Sequence, residues 1–191
     1  MSVIFIHTGQ CGNQLGYELI DSISALANTS SGLAKEKLVD KFFRHSSRQY
    51  NAKLIARTVC LDTEPKVIND SVSKAHQGRQ WSIDTKSVAY LHGGAGNNWA
   101  HGYEMCSGEF SITAIDCVRR EIEYCDQSPT LVLTQSLAGG TGSGMGTRLT
   151  EVLGEKYVYI YVCNNTLYVR LQYISYKTLT YLYPHSTINS V

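Results

Sequence analysis

The chain has 191 residues, 43% of them hydrophobic, which is enough for the core of one ordinary domain and too few for two large ones. Its 17 Lys and Arg nearly balance its 16 Asp and Glu, giving a formal net charge of +1. This balance argues against a nucleic-acid coat and a polybasic membrane anchor, and the low count of three Pro argues against a mainly disordered chain.

The predicted elements alternate between short apolar strands and amphipathic helices. In chain order, the predicted strands cover residues 3–6, 54–61, 88–91 and 130–134, and the predicted helices cover residues 15–26, 66–75, 112–122 and 145–153. Residues 28–53 are polar and irregular, so we expect a loop there. The alternation predicts an α/β fold with an open parallel sheet covered on both faces. The loops after its strands meet at one edge, where ligands bind in such sheets.

The fourth of these loops, residues 138–144, is rich in glycine. Glycines let backbone N–H groups approach an anion, and Thr141 and Ser143 add hydroxyl donors. A tight turn between strand and helix is the simpler alternative. The loop lacks the Lys of a P-loop and does not fit G-x-G-x-x-G, so it belongs to some other nucleotide-binding family.

The other three loops carry polar side chains with weaker signals. Gln10 and Cys11 open the first helix and could meet a nucleotide or simply be buried. Asp62 and Glu64 are alternate residues, whose side chains point the same way in extended backbone, and a magnesium ion held mainly by phosphates needs one or two such carboxylates. Taken alone, a solvated loop or an N-cap of the next helix explains them better. Residues 97 and 98 are asparagines that could donate to phosphate or stabilise a turn. No catalytic triad can be assembled, so we assign no catalytic residue.

The four loops together resemble those of the tubulin family. The matching segments are Gly-Gln-Cys-Gly-Asn-Gln at 9–14, Asp-Thr-Glu-Pro at 62–65, Ala-Gly-Asn-Asn-Trp-Ala at 95–100 and Ala-Gly-Gly-Thr-Gly-Ser-Gly at 138–144. Residues 16–21, 64–69 and 96–103 look most like the delta branch, and the gamma branch is the next most similar. The resemblance implies the Rossmann-like sheet of the tubulin GTPase domain, truncated in this chain.

The resemblance also implies a GTP site with Mg²⁺. It places Glu64, with Asp62, at the metal. It assigns to the nucleotide the residues Gln10, Cys11, Gly96, Asn97, Asn98, Ser136, Ala138, Gly139, Gly140, Thr141, Gly142, Ser143 and Gly144. In the family, hydrolysis is completed by an acidic residue from another subunit, so whether this chain is an enzyme stays open.

The resemblance implies partners and a location as well. The expected partners are other tubulins or microtubules, with no nucleic acid and no membrane insertion. The expected location is the cytoplasm and cytoskeleton, at a centriole, basal body or cilium. A signal peptide is not visible in the first residues, so we expect reduced cysteines.

The tail differs in composition from the rest. No glycine follows Gly154, and eight of the 13 Tyr fall within residues 157–191. We expect the resemblance to end near residue 156, giving a nucleotide-binding part at 1–156 and a Tyr-rich tail at 157–191. Strands at 157–163 and 166–173, with a turn at 164–165, would add an extra β segment that replaces the fifth strand in divergent form. Because the resemblance stops abruptly, we favour the other interpretation, in which the tail is sequence that does not belong to the domain. For the function, the alternative to a GTP-binding protein is a truncated, non-functional or interaction-only fragment that binds GTP weakly or not at all.

Overall fold

The computed structural model describes residues 1–46, 53–157, 160–164 and 173–175. The strands are β1 (Val3–Thr8), β2 (Phe43–His45), β3 (Leu54–Ala56), β4 (Thr58–Asp62), β5 (Trp81–Ser82), β6 (Val88–Tyr90), β7 (Thr130–Gln135), β8 (Ile160–Asn164) and β9 (Tyr173–Ser175). The α-helices are α1 (Gly9–Thr29), α2 (Gly32–Phe42), α3 (Pro65–Gly78), α4 (Trp99–Met105), α5 (Gly108–Glu123) and α6 (Gly146–Lys156).

The main sheet has the strand order β6-β4-β1-β7-β8-β9. Its strands run parallel from β6 to β8, and β9 pairs antiparallel with β8. The predicted open parallel sheet is therefore confirmed. The central strand β1 is buried along its whole length, as expected for a sheet covered on both faces.

Each face of the sheet carries its own hydrophobic core. Because side chains alternate along a strand, Ile4 and Ile6 pack in one core with Val118 of α5 and Leu149 of α6. Phe5, pointing the other way, packs in the second core. The second core also holds Tyr17 and Ile20 of α1, Ile68 of α3 and Trp81 of β5. No helix in the described part of the chain is long and apolar enough to cross a bilayer.

The segment expected to be a loop, residues 28–53, differs from the prediction. It contains α2 and β2, while residues 47–52 lie outside the described residues. Helix α2 has no fully buried residue, and Val39 and Phe42 pack against the second core only partly buried. Its apolar stripe is therefore weak, which makes the helix hard to recognise in sequence.

The predicted strand at 54–61 is two strands in two sheets. Strand β3 joins β2 and β5 in a small second sheet, and β4 joins the main sheet. The chain changes sheet at Arg57, whose side chain donates to the backbone oxygens of Phe43 (3.0 Å) and Tyr124 (3.1 Å).

Part of the tail continues the main sheet. Strand β8 lies parallel to β7, with Val132 opposite Tyr161 in the register, and overlaps the strand predicted at 157–163. Asn164, predicted to begin a turn, is the last residue of β8. Residues 165–172, which hold most of the second predicted strand, lie outside the described residues.

A buried ionic cluster joins the small sheet to the main domain. Glu121 of α5 is fully buried and accepts hydrogen bonds from Arg44 of β2 (3.0 Å) and the Ser87 hydroxyl (2.7 Å). Arg44 also pairs with Asp84 at 2.5 Å and lies over the ring of Tyr124. The network satisfies a charge that would be costly to bury alone.

We expect Glu121→Ala to lower the free energy of unfolding by about 3 kcal/mol, because Arg44 and Ser87 lose a buried partner. The matched control is Glu123→Ala, which removes an exposed carboxylate paired with Arg119 on the same helix. Its cost should stay below about 1 kcal/mol. Urea denaturation measures both, and equal small effects would show that the cluster does not stabilise the fold.

A second buried polar group makes stability depend on pH. His7 of β1 is 2% exposed, and its Nδ1 lies 2.6 Å from the Thr134 hydroxyl. Burial lowers the pKa of His7 from 6.5 to about 3. Between these values the unfolded chain binds a proton that the folded chain does not, so the His7 contribution to stability falls as pH falls from 6.5 toward 3.

The variant His7→Gln should therefore remove part of the loss of stability below pH 6.5. The measurement is the difference in unfolding free energy between wild type and variant at several pH values between 7 and 4. His101→Gln, at an exposed histidine, is the control. A difference for His7→Gln that does not change with pH would contradict the prediction.

Candidate functional site

A cavity of about 750 Å³ opens where β1, β4 and β7 end. It is lined by Thr8, Gln10, Cys11, Gln14, Leu15, Glu18, Glu64, Ala95, Gly96, Asn97, Ser136, Ala138, Gly139, Gly140, Thr141 and Gly142. All four predicted loops thus contribute to one wall. This edge is the expected ligand-binding edge of an open parallel sheet.

The first loop turns directly from β1 into α1. Gly9 has φ +72°, and a Cβ at this position would lie 2.7 Å from the Gly142 nitrogen. Only glycine therefore lets the first loop touch the fourth. Gln10, Gln14 and Glu18 follow at four-residue spacing, so successive turns of α1 line the cavity.

The fourth loop runs from Ser136 into a π-helical turn, Thr141–Met145, and then into α6. Its glycines serve two purposes. Gly140 lines the cavity, and a Cβ built on it would also lie only 2.6 Å from the Cβ of Ala95. A Cβ built on Gly144 would lie 2.2 Å from the backbone oxygen of Trp99. Gly144 is thus a packing position behind the wall. Ser143 is buried too, and its hydroxyl donates to the Gly139 oxygen at 2.5 Å.

The third loop has an unusual backbone. Gly96 and Asn97 are consecutive residues with φ +57° and +55°, and Asn97 is the one residue other than glycine with positive φ in the described chain. Asparagine tolerates this conformation better than most residues. The next residue, Asn98, caps α4, since its Oδ1 accepts from the His101 nitrogen at 3.3 Å. Asn98 does not line the cavity.

The two predicted metal carboxylates have different surroundings. Glu64 is exposed and lines the cavity. Asp62 is 4% exposed, and its Oδ1 accepts from the Thr63 nitrogen at 2.8 Å. Burial raises the pKa of Asp62 to about 6. The structure therefore brings Glu64 to the site and leaves Asp62 behind it.

Two contacts tie the second loop to its neighbours. The hydroxyls of Thr63 and Thr141 are 2.5 Å apart, which joins the second and fourth loops. Asn13 of α1 donates through Nδ2 to the backbone oxygens of Gly9 (2.9 Å) and Leu61 (3.0 Å). Asn13 thus connects the start of α1 to the end of β4. Sequence reasoning did not single it out, since a lone asparagine in a helix carries no signal.

Several lining residues were also missed by the sequence-based assignment. Gln14 and Glu18 could have been found by counting four and eight residues from Gln10 along the predicted helix. Thr8 and Ala95 line the cavity because they flank loops already assigned, and no side-chain chemistry marks them.

The chemistry of the wall suits a phosphate chain with a divalent cation. None of the described residues that line the cavity is Lys or Arg. An anion would therefore be met by backbone N–H groups, the Thr141 hydroxyl and the amino end of α1. Within the described ranges, no group of three or more metal-ligating side chains occurs. A Mg²⁺ ion held mainly by phosphates and water needs only one or two carboxylates, so Glu64 is sufficient.

Comparisons with known proteins agree with this arrangement. The family model described as "Tubulin/FtsZ family, GTPase domain" matches residues 2–187. The chain is 34% identical to the tubulin delta chain of Homo sapiens over 97% of this chain and 44% of that relative. It is 34% identical to the tubulin beta-1 chain of Chondrus crispus, over 82% of this chain and 35% of that relative.

The matches also show how much of this chain, and of its relatives, the similarity covers. The chain spans less than half the length of these curated relatives. The family match continues past residue 156, where we expected the resemblance to end, and includes β8 and β9.

Proposed function

This chain belongs to the Tubulin/FtsZ family, and on that premise we propose that its cavity binds GTP with Mg²⁺. One observation carries the proposal. Of the residues assigned to the nucleotide from sequence, all but Asn98, Ser143 and Gly144 line the same cavity. These residues come from three loops, and Glu64 adds the second loop, so all four loops meet around one space, which suits a triphosphate with its metal.

The proposed arrangement follows the loops. The fourth loop, from Ser136 to Gly142, surrounds the α- and β-phosphates. Gly96 and Asn97 approach the γ-phosphate, and Gln10 and Cys11 lie at the phosphates and the ribose–base region. Asn98, Ser143 and Gly144 act indirectly by fixing the backbone of the loops that touch the nucleotide.

The metal is proposed to lie at Glu64. Its carboxylate is next to the third loop, because a Cβ built on Gly94 would lie 2.4 Å from Glu64 Oε1. Mg²⁺ would there neutralise phosphate charge that the described part of the wall does not balance with Lys or Arg. Asp62 is the lesser candidate, since it is buried and its pKa is raised to about 6.

The wider role is proposed from the relatives. Similarity to tubulin delta chains supports a cytoskeletal protein that works with other tubulins or microtubules, at a centriole, basal body or cilium. We propose residues 1–156 as the nucleotide-binding part and residues 157–191 as a divergent tail. No catalytic residue is assigned, because hydrolysis would need an acidic group from another subunit. The family match through residue 187 weighs against the alternative of a non-functional fragment.

The glycine loop provides the first test. The double variant Thr141→Ala, Gly142→Ala removes a hydroxyl and adds a methyl 3.1 Å from the Ser136 nitrogen. We expect GTP affinity to fall at least about tenfold, the loss of one charge-assisted hydrogen bond. The matched control is Thr150→Ala, Gly154→Ala, where Gly154 has open space around it.

NMR titration with GTP and Mg²⁺ measures this over a wide range of affinities. Unchanged affinity in the glycine-loop variant would contradict the site.

The metal assignment has a separate test. Glu64→Gln should lower GTP affinity about tenfold when Mg²⁺ is present and leave it unchanged in EDTA. The reason is that the substitution removes only the part of the GTP affinity that depends on the bound metal. Glu18→Gln, another carboxylate that lines the cavity, is the control and should lack this difference. Equal effects with and without Mg²⁺ would place the metal elsewhere.

A further inference from the structure

Thr63, which lies between the two carboxylates of the second loop, places a buried hydroxyl directly behind the wall of the cavity. The residue is 1% exposed, and its Oγ1 lies 2.5 Å from Oγ1 of Thr141. Thr141 lines the cavity assigned to GTP, whereas Thr63 does not. The contact therefore joins a residue that no ligand can touch to one that faces the proposed ligand.

The backbone of Thr63 holds its side chain in place. Its N–H donates to Asp62 Oδ1 at 2.8 Å, and its backbone oxygen accepts from the Gly94 nitrogen at 3.3 Å. These bonds fix the residue between the second and third loops, and a β-branched side chain has few rotamers at χ1. The Thr63 hydroxyl is thus a fixed group that cannot turn to suit a ligand.

Burial decides which of the two hydroxyls donates to the other. Within the described ranges, Thr141 Oγ1 is the one hydrogen-bond partner of the Thr63 hydroxyl. A buried donor without an acceptor is costly, so the Thr63 proton points to Thr141 Oγ1. If Thr141 donated instead, the Thr63 proton would have no acceptor among the described residues. Because a hydroxyl carries one proton, Thr141 keeps its own proton for another acceptor.

We propose that Thr63 is a positioning residue, whose hydroxyl donates to Thr141 and directs the Thr141 proton toward a phosphate oxygen of the ligand. The inference rests on the proposed function, because GTP supplies that oxygen. An ionised phosphate oxygen only accepts, so it matches the proton that Thr141 has free. Hydrogen bonds in a chain also polarise one another, so the bond from Thr141 to phosphate is strengthened by the bond from Thr63.

The composition of the wall makes this orientation important. None of the described residues that line the cavity is Lys or Arg, so neutral donors must meet the phosphates, and a neutral donor acts only if its proton points at the ligand. The alternative is that the contact between Thr63 and Thr141 merely holds two loops together. The two explanations differ in one respect, because a purely structural contact would not need Thr141 to donate to the ligand.

The first experiment compares Thr63→Val, which removes the hydroxyl and keeps the shape of the side chain, with Thr63→Ser, which keeps the hydroxyl. In NMR titrations of residues 1–191 with GTP and Mg²⁺, Thr63→Val should lower GTP affinity about three- to tenfold, because up to one oriented hydrogen bond is lost. Thr63→Ser should bind GTP as tightly as the unmodified chain. The control is Thr130→Val, the same change at the start of β7 and away from the cavity, which should leave GTP affinity unchanged.

A double-mutant cycle with Thr141→Val separates positioning from structural support. If Thr63 acts through Thr141, Thr63→Val should lower GTP affinity no further in a chain that already carries Thr141→Val, because no hydroxyl is left to orient. Two losses that multiply would overturn the proposal, since they would show that Thr63 acts independently of the Thr141 hydroxyl.

The failure of this inference is distinguishable from the failure of the proposed function. Unchanged GTP affinity in a folded Thr63→Val variant would overturn the inference and leave the GTP site standing, whereas no GTP binding by the unmodified chain would overturn both. Circular dichroism checks that each variant folds. If Thr63→Val does not fold, Thr63→Ala also lacks the hydroxyl and makes the same comparison with Thr63→Ser.

Discussion

Close contact between glycine backbones is the constraint on which the site depends. A Cβ on Gly12 would lie 2.4 Å from the Thr134 oxygen, and one on Gly102 would lie 2.1 Å from the Gly140 oxygen. Together with the contact of Gly9 on Gly142, these approaches bring the first, third and fourth loops together without side chains between them. The cavity has its shape because the backbones can touch.

This constraint changes how the glycine-rich motif is understood. The sequence suggested glycines that turn N–H groups toward an anion, or a simple tight turn. In the structure, Gly139, Gly140 and Gly142 line the cavity while Gly144 packs against α4. The motif therefore combines glycines that line the cavity with one that allows close backbone packing. Composition cannot separate them, because the difference lies in which backbone faces each glycine.

The carboxylates and the missed helix show where sequence reasoning stops. Asp62 and Glu64 were expected to point the same way as alternate residues of an extended chain. Asp62 instead bonds the next backbone nitrogen, that of Thr63, and turns inward. Strand β1 was predictable because it is buried along its whole length, whereas α2 was not, since none of its residues is fully buried. Helices and strands were therefore predictable from the sequence where their side chains are buried, and intrinsic secondary-structure propensity mattered less.

The helix after the glycine loop connects the site to the tail. Helix α6 begins where the fourth loop ends and is the crossover between the parallel strands β7 and β8, the geometry that a βαβ unit requires. The position of β8 is therefore set by the loop that borders the cavity, whatever the tail's composition. A strand placed in this way, in a segment that the family model also matches, is easier to explain as a divergent continuation of the sheet than as unrelated sequence.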